Sequence, residues 1–246
     1  WGTYLLGLSY AGGHGVAKDL KVALDCFLQA AEKNDSAATF KVGRAFLMGE
    51  GIEKNKGAAV KWLCQAARLG SSDANVYLGL MLVYGDGVEE NRTEAAKWFR
   101  KAAENGHSNA QYNLGIYYAQ GKGVIKDQVA ALKWFSKAAE QGNAKAQVNL
   151  AIGFATGEGV TKDQVAAVKW FSQAAGQGDE FAQFNLAVCY AFGRGVPKDE
   201  IEAYAYWNLA GVTDEDARKR LALLEENMSP DARVLGQQRT KQLKKA

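Results

Sequence analysis

Three asparagines, Asn113, Asn149 and Asn185, stand 36 residues apart. A primary amide both donates and accepts hydrogen bonds, so a row of them satisfies the N–H and C=O of a peptide main chain without demanding a side-chain sequence. Two apolar rows keep the same spacing: Tyr4, Phe40, Tyr112 and Phe184, then Leu8, Leu80, Ile116, Ile152 and Val188. Arg44 alone interrupts the second row. Exposed together, these residues form a groove suited to an apolar or aromatic segment. The alternative is structural: the asparagines bond a neighbouring helix or water, and part of the stripe is core. A charged row, Lys61, Lys97, Lys133 and Lys169, directly precedes four tryptophans. It reads as a solvated face whose aliphatic stems cover the aromatics, or as a contact for an acidic surface.

The patterns that support catalysis or metal binding are missing. The two histidines, His14 and His107, fall in unrelated registers and read as surface loop positions. The sequence holds no Cys-x-x-Cys, His-Glu-x-x-His or Gly-x-Ser-x-Gly. Its Gly-x-Gly turns lack the strand and spacing of a phosphate-binding loop. The expectation is a protein that is not an enzyme, with no cofactor and no small-molecule substrate. Cys26, Cys64 and Cys189 are an odd number without close pairing, and read as buried free thiols. The net charge of +3 is too small to point to nucleic acid. Five of the 30 Lys and Arg lie from Arg233 onward, leaving 25 against 27 acidic residues elsewhere. No apolar run is long enough to span a membrane.

The elements that carry these rows follow from glycine. The pairs Gly13/Gly15, Gly49/Gly51, Gly85/Gly87, Gly121/Gly123, Gly157/Gly159 and Gly193/Gly195 recur every 36 residues without insertion or deletion. Between Asn109 and Gly142, Ala110, Leu114, Gly115 and Tyr118 are spaced for one helix. Gly121 ends it in the left-handed conformation. Gly123 and Val124 form the turn, Val124 tucking inward, and Asp127 caps a second helix. That helix is expected to bury Ala131, Trp134, Phe135, Ala138 and Ala139. Asn91 with Glu94, and Asp199 with Glu202, have capping-box spacing. One hairpin of this kind cannot bury its own apolar face, but stacked copies can. The fold class is therefore all-α, a right-handed helical-repeat solenoid of six helix–turn–helix repeats: 1–35, 36–70, 71–106, 107–142, 143–178 and 179–213. A C-terminal capping pair follows over 214–246. Its first helix, to about 227, turns Ala217, Leu221 and Leu224 inward, and Ser229–Pro230 opens the second. The first repeat begins at Trp1 with no polar cap and no methionine, which predicts a removed leader, further upstream residues or a covered end.

The repeat is similar to the Sel-1-like repeat, a relative of the tetratricopeptide repeat, whose pattern resembles A-x-x-x-L-G-x-x-Y-x-x-G-x-G-V-x-x-D-x-x-x-A-x-x-W-F-x-x-A-A-x-x-G. Residues 109–142 follow it throughout, and the likeness covers about residues 1–211. Departures are Cys26 in the tryptophan register, Leu63 for phenylalanine, Tyr206–Trp207 for the aromatic pair and Gly211 for alanine. The cysteines of the family's disulfide-bearing branch are absent. The resemblance implies an adaptor or scaffold role, of the sort common in bacterial signalling, envelope assembly and host interaction, and leans towards an exported bacterial protein. It also implies that first helices line a concave face, where Asn113, Asn149, Asn185, Tyr112, Ile116, Ile152, Phe184, Phe40 and Arg44 would meet a protein or extended peptide. The lysine row becomes a secondary convex ladder. Two other readings stand beside this one: homotypic assembly through the ends, and a regulatory repeat region of a larger protein.

Overall fold

A computed structural model describes residues 2–245. The chain divides into two compact units, Trp1–Lys126 and Asp127–Ala246. All of its described regular structure is helical. The first unit holds α1 (Gly2–Gly12), α2 (Leu20–Ala31), α3 (Ser36–Met48), α4 (Lys56–Arg68), α5 (Ser72–Tyr84), α6 (Arg92–Glu104) and α7 (Ser108–Gln120). The second holds α8 (Gln128–Glu140), α9 (Ala144–Thr156), α10 (Gln164–Gly176), α11 (Glu180–Phe192), α12 (Glu200–Ala210), α13 (Glu215–Asn227) and α14 (Pro230–Leu243). Odd helices of the repeats are first helices, even ones second helices. Within the units, α3, α5, α9 and α11 each pack on the second helix of their own hairpin and on that of the hairpin before, α1 on α2, and α7 on α6. No described helix is long and apolar enough to cross a membrane.

The glycine pair does two different jobs. Gly193, at φ 65°, ends α11 with its N–H on the Cys189 carbonyl. A side chain there would have room, with nothing nearer than 3.5 Å. Gly195, at φ 74°, has none, since its Cβ would stand 2.2 Å from the Gln164 carbonyl oxygen at the start of the preceding repeat's second helix. Gly51 and Gly123 press equally hard on Leu20 and Arg92. The first glycine reverses the chain, and the second lets one repeat touch the next. The turn valines lean inward as expected, Val88 and Val196 packing against the cores.

The capping residues also lock the hairpin. Asp163 Oδ1 accepts from the Ala166 N–H at 3.0 Å, while the Asp163 N–H donates to the Phe154 carbonyl at 2.9 Å. Asp19, Asn55, Asn91 and Asp199 repeat that backward bond to Tyr10, Phe46, Leu82 and Tyr190. This corrects the capping-box reading. The cap N–H that Glu94 or Glu202 would accept from is already engaged, so Glu94 pairs with Lys97 and Glu202 with Arg239.

Packing between hairpin helices sets small against large. A Cβ on Gly79 would lie 2.6 Å from the Phe99 ring, and one on Gly7 equally close to Phe27. Phe99, Phe135 and Phe171 are fully buried. The tryptophans before them are only half-buried, which corrects the expectation for Trp134. The phenylalanine register carries the core, and in repeat six it holds Trp207, also buried. Cys26 and Cys189 are buried free thiols and Cys64 is half-buried.

A row absent from the sequence reading joins successive repeats. Gln111, Gln147 and Gln183 are buried, and each donates its amide to a carbonyl eight residues back, on Ala103, Ala139 and Ala175. That carbonyl lies in the last turn of the preceding second helix, where main-chain oxygens lack helical partners. Two repeats earlier the register holds Thr39, whose hydroxyl donates to the Asp35 carbonyl of its own helix. Between them Asn75 is fully buried with neither amide atom hydrogen-bonded to protein. At the C-terminus, α12 carries both remaining helices. Ala217, Leu221 and Leu224 of α13 pack as expected. On α14, Gly236 seats against Tyr204, and the Arg239 Nε donates to Glu202 at 2.7 Å.

Three outcomes follow. Phe99→Ala should cost about 3–5 kcal/mol in urea unfolding, and Trp98→Ala clearly less, because its ring is half outside; equal costs would return the tryptophan to the core. Gly193→Ala should lose about 1–2 kcal/mol, the penalty of a left-handed residue with a Cβ. Gly195→Ala must add a repeat-to-repeat clash and melt lower, and matching melting temperatures would mean that the second glycine serves only its own turn. Asn75→Gln should reach the Ala67 carbonyl and raise stability by about 0.5–1.5 kcal/mol. A drop in melting temperature would show that this site lacks space for the longer amide.

Candidate functional site

Clefts open where two consecutive first helices flank the second helix between them. In the first unit, Leu8 and Ala11 of α1, Leu24 and Phe27 of α2, and Lys41, Arg44 and Ala45 of α3 line a cavity of about 140 Å³, with Lys18 and Glu50 from the turns. In the second unit, Ile152 and Ala155 of α9, Phe171 of α10, and Asn185, Val188 and Cys189 of α11 line one of about 560 Å³, with Lys162 and Arg194. The two sets are the same registers. Leu8 and Ile152 correspond, as do Lys18 and Lys162, Phe27 and Phe171, Lys41 and Asn185, Arg44 and Val188, and Glu50 and Arg194. Two clefts of one design, in two separately compact units, are a property of the repeat. Apolar floors with cationic turn residues at the edge are what they share.

The sequence-derived groove residues divide. Asn185 and Ile152 line the second cleft and Arg44 the first. The amides of Asn149 and Asn185 each donate at 2.8 Å to the carbonyl one turn earlier in their own helices, on Lys145 and Phe181. Their donor side is thus turned to their own main chain, and the Oδ1 is the part suited to an outside N–H. Asn113, in the same register on α7, is half-buried, as are Tyr112 and Ile116. Burial raises the Tyr112 phenol above its usual range, so it stays protonated. Phe184 is half-buried against the α12–α13 core, with the Arg220 guanidinium 5.6 Å above its ring. Phe40 does not belong to the face. It is 8% exposed, lies in the core and meets Tyr77 edge-on at 5.2 Å, because Leu63, Leu78 and Met81 close the space around it.

Lys61, Lys97, Lys133 and Lys169 are exposed on second helices. The cations over the tryptophan rings are different residues, one turn further on: Lys101 over Trp98 at 5.7 Å and Lys137 over Trp134 at 4.5 Å. His107 lies in the connection between α6 and α7, as expected, and has a task there. It caps α7, its Nδ1 accepting from the Ala110 N–H at 3.3 Å, with Nε2 3.2 Å from Asp73. His14 is exposed in its turn.

Lys18 and Lys162 were not singled out by sequence, though their signal is plain. A lysine precedes the capping Asp or Asn in five of the six copies, Lys18, Lys54, Lys126, Lys162 and Lys198, with Glu90 the exception. Lys41, Glu50 and Arg194 carry no such signal, since each differs from its counterparts in most copies.

The chain matches the family model described as Sel1 repeat six times, over residues 2–35, 36–71, 72–107, 108–143, 144–179 and 181–211. Among solved structures it is similar to c5321, a protective antigen of uropathogenic Escherichia coli strains that displays an SLR fold. The two share 33% identity and a TM-score of 0.87 over 98% of this chain and 53% of that one. This chain therefore spans about half the antigen's length. A Sel1 repeat protein from Oxalobacter formigenes is also 33% identical, with a TM-score of 0.78 over 86% of this chain and 87% of that chain. The immunity protein PA5088 from Pseudomonas aeruginosa, 19% identical with a TM-score of 0.53 over 88% of this chain and 82% of its own, shares the fold. No curated protein matches.

Proposed function

The chain belongs to the Sel1 repeat family, and from that premise we propose that it is a non-catalytic scaffold that holds an extended segment of a partner protein along its first-helix face. Proteins of this family are in general protein-interaction scaffolds. The observation that supports this face is the recurrence of one cleft, in equivalent registers, in both units. Each cleft offers an apolar floor for a side chain. On the second, the Asn185 Oδ1 stands ready to accept a main-chain N–H, one of its own amide protons being given to the Phe181 carbonyl. Cationic turn residues would set the electrostatics of approach. The second-helix lysines, exposed to solvent, would tune association rate more than affinity.

The test uses peptides selected by display against the intact chain. Val188→Arg fills the second cleft with a residue that the fold already accepts in this register, at Arg44. Combined with Asn185→Ala it should weaken binding at least tenfold, about 1.4 kcal/mol, with an unchanged thermal melt. Replacing Lys61, Lys97, Lys133 and Lys169 by serine should alter mainly the salt dependence. If the lysine variant loses binding and the cleft variant keeps it, recognition belongs to the second-helix face.

A further inference from the structure

The first-unit cleft differs from its counterpart in one respect that bears on what it takes. Where the second cleft has Asn185 and Val188, the first has Lys41 and Arg44. Arg44 donates from Nη2 to Glu50 at 2.8 Å, which neutralises one of the two cations, while its Nε is buried without a hydrogen-bond partner. Lys41 is half-buried and makes no ion pair among the described residues. A third cation, Lys18, stands at the turn. Three cations against a single carboxylate therefore line a cavity of only about 140 Å³, over the hydrocarbon of Leu8, Leu24 and Phe27.

Partly desolvated cations of one sign in so small a space repel each other, and the site is eased by a bound anion. Burial, and then the Arg44 guanidinium, lower the Lys41 ammonium from its ordinary range, with Glu50 and Asp73 opposing. Of the side chains that line the cleft the one carboxylate, Glu50, is engaged by Arg44, and Asp73 acts on Lys41 from outside the lining. The size of the cavity admits one side chain, and the apolar floor suits the methylenes of a longer acidic residue.

We propose that this cleft is a carboxylate subsite, in which Lys41 and Arg44 receive the side chain of a glutamate or aspartate carried by the segment bound along the first-helix face. It rests on the reading of that face as the docking surface, and it gives the partner a chemistry: an extended segment with an acidic residue among apolar ones. The second cleft, with Asn185 and Val188 in these registers, lacks the subsite.

The experiment titrates the full chain with synthetic peptides, C-terminally amidated, that hold apolar residues constant and carry Glu, Gln or Lys at one scanned position. A parallel set ends in a free carboxylate. The native chain should prefer Glu over Gln at one position by tenfold or more, and reject Lys there. Lys41→Met and Arg44→Gln should each abolish most of that preference with little loss of affinity for the Gln peptide. Leu8→Ala, on the apolar floor of the same cleft, should lower affinity for all peptides and leave the preference intact. Thermal melts of Lys41→Met check the fold, and Lys41→Gln serves should the methionine variant be unstable. Binding that depends on Leu8 yet shows no Glu preference overturns the subsite and leaves the docking face standing. A preference that follows only the free C-terminus overturns it too. Peptides that bind with no response to Leu8, Lys41 or Arg44, or none that bind at all, overturn both.

Discussion

Everything in this architecture depends on how closely the turn of one repeat can approach the second helix of the repeat before it. That distance is set by the second glycine of each pair from Gly51 onward. At Gly195 the main chain rides against the Gln164 carbonyl with no space for a methyl group. The same contact recurs at Gly51 on Leu20 and Gly123 on Arg92. Because it joins the start of one helix to the turn that follows the next first helix, it ties repeat spacing to turn geometry. An inserted residue in either hairpin would pull the turn off its seat. An uninterrupted period of 36 over six copies is what such a contact demands.

Two further devices complete the constraint. The N–H of the capping residue reaches back to the first helix and closes the hairpin, while its side chain caps the second helix. The buried glutamine row then fastens α7, α9 and α11 to the last carbonyls of the previous repeat. Apolar packing alone, of Phe99 on Gly79 for instance, would tolerate sliding, since dispersion contacts are not directional. A buried amide that loses its acceptor is costly, so the glutamines penalise every other register. Asn75 shows the converse, an amide in the same row that is too short for the partner its neighbours find.

Periodic features were legible in the sequence for physical reasons. Glycine at positive φ and Asp or Asn at helix starts have few substitutes, so turns, caps and helix count could be read from Gly121, Asp127 and Ser229–Pro230. What could not be read is which side of an aromatic pair faces inward. Tryptophan is the larger apolar residue, yet it lies half outside and phenylalanine fills the core, because the glycine opposite leaves a slot shaped for one ring. Phe40 was misplaced for a related reason. Periodicity assigns it a stripe, whereas its burial depends on Tyr77, Leu63 and Leu78 from other helices. The asparagines were legible as a row, but not the direction of their amides, which the carbonyl one turn back decides.

The repeat separates what must be constant from what is free to vary. Glycine pairs, cap residues, small helix positions and buried rings are held by contacts between neighbours. Cleft registers are held by none of these, and there the copies diverge: Lys41 against Asn185, Arg44 against Val188, Glu50 against Arg194. A cleft floor drawn from constant positions, Phe27 in one unit and Phe171 in the other, with rims drawn from variable ones, lets a single scaffold present different chemistry at equivalent places. On the proposed reading, specificity would come from the order of the rims along the chain, each contributing a modest preference, and not from one deep pocket. The residues most constant across the copies would then say least about what is bound, and the least constant most.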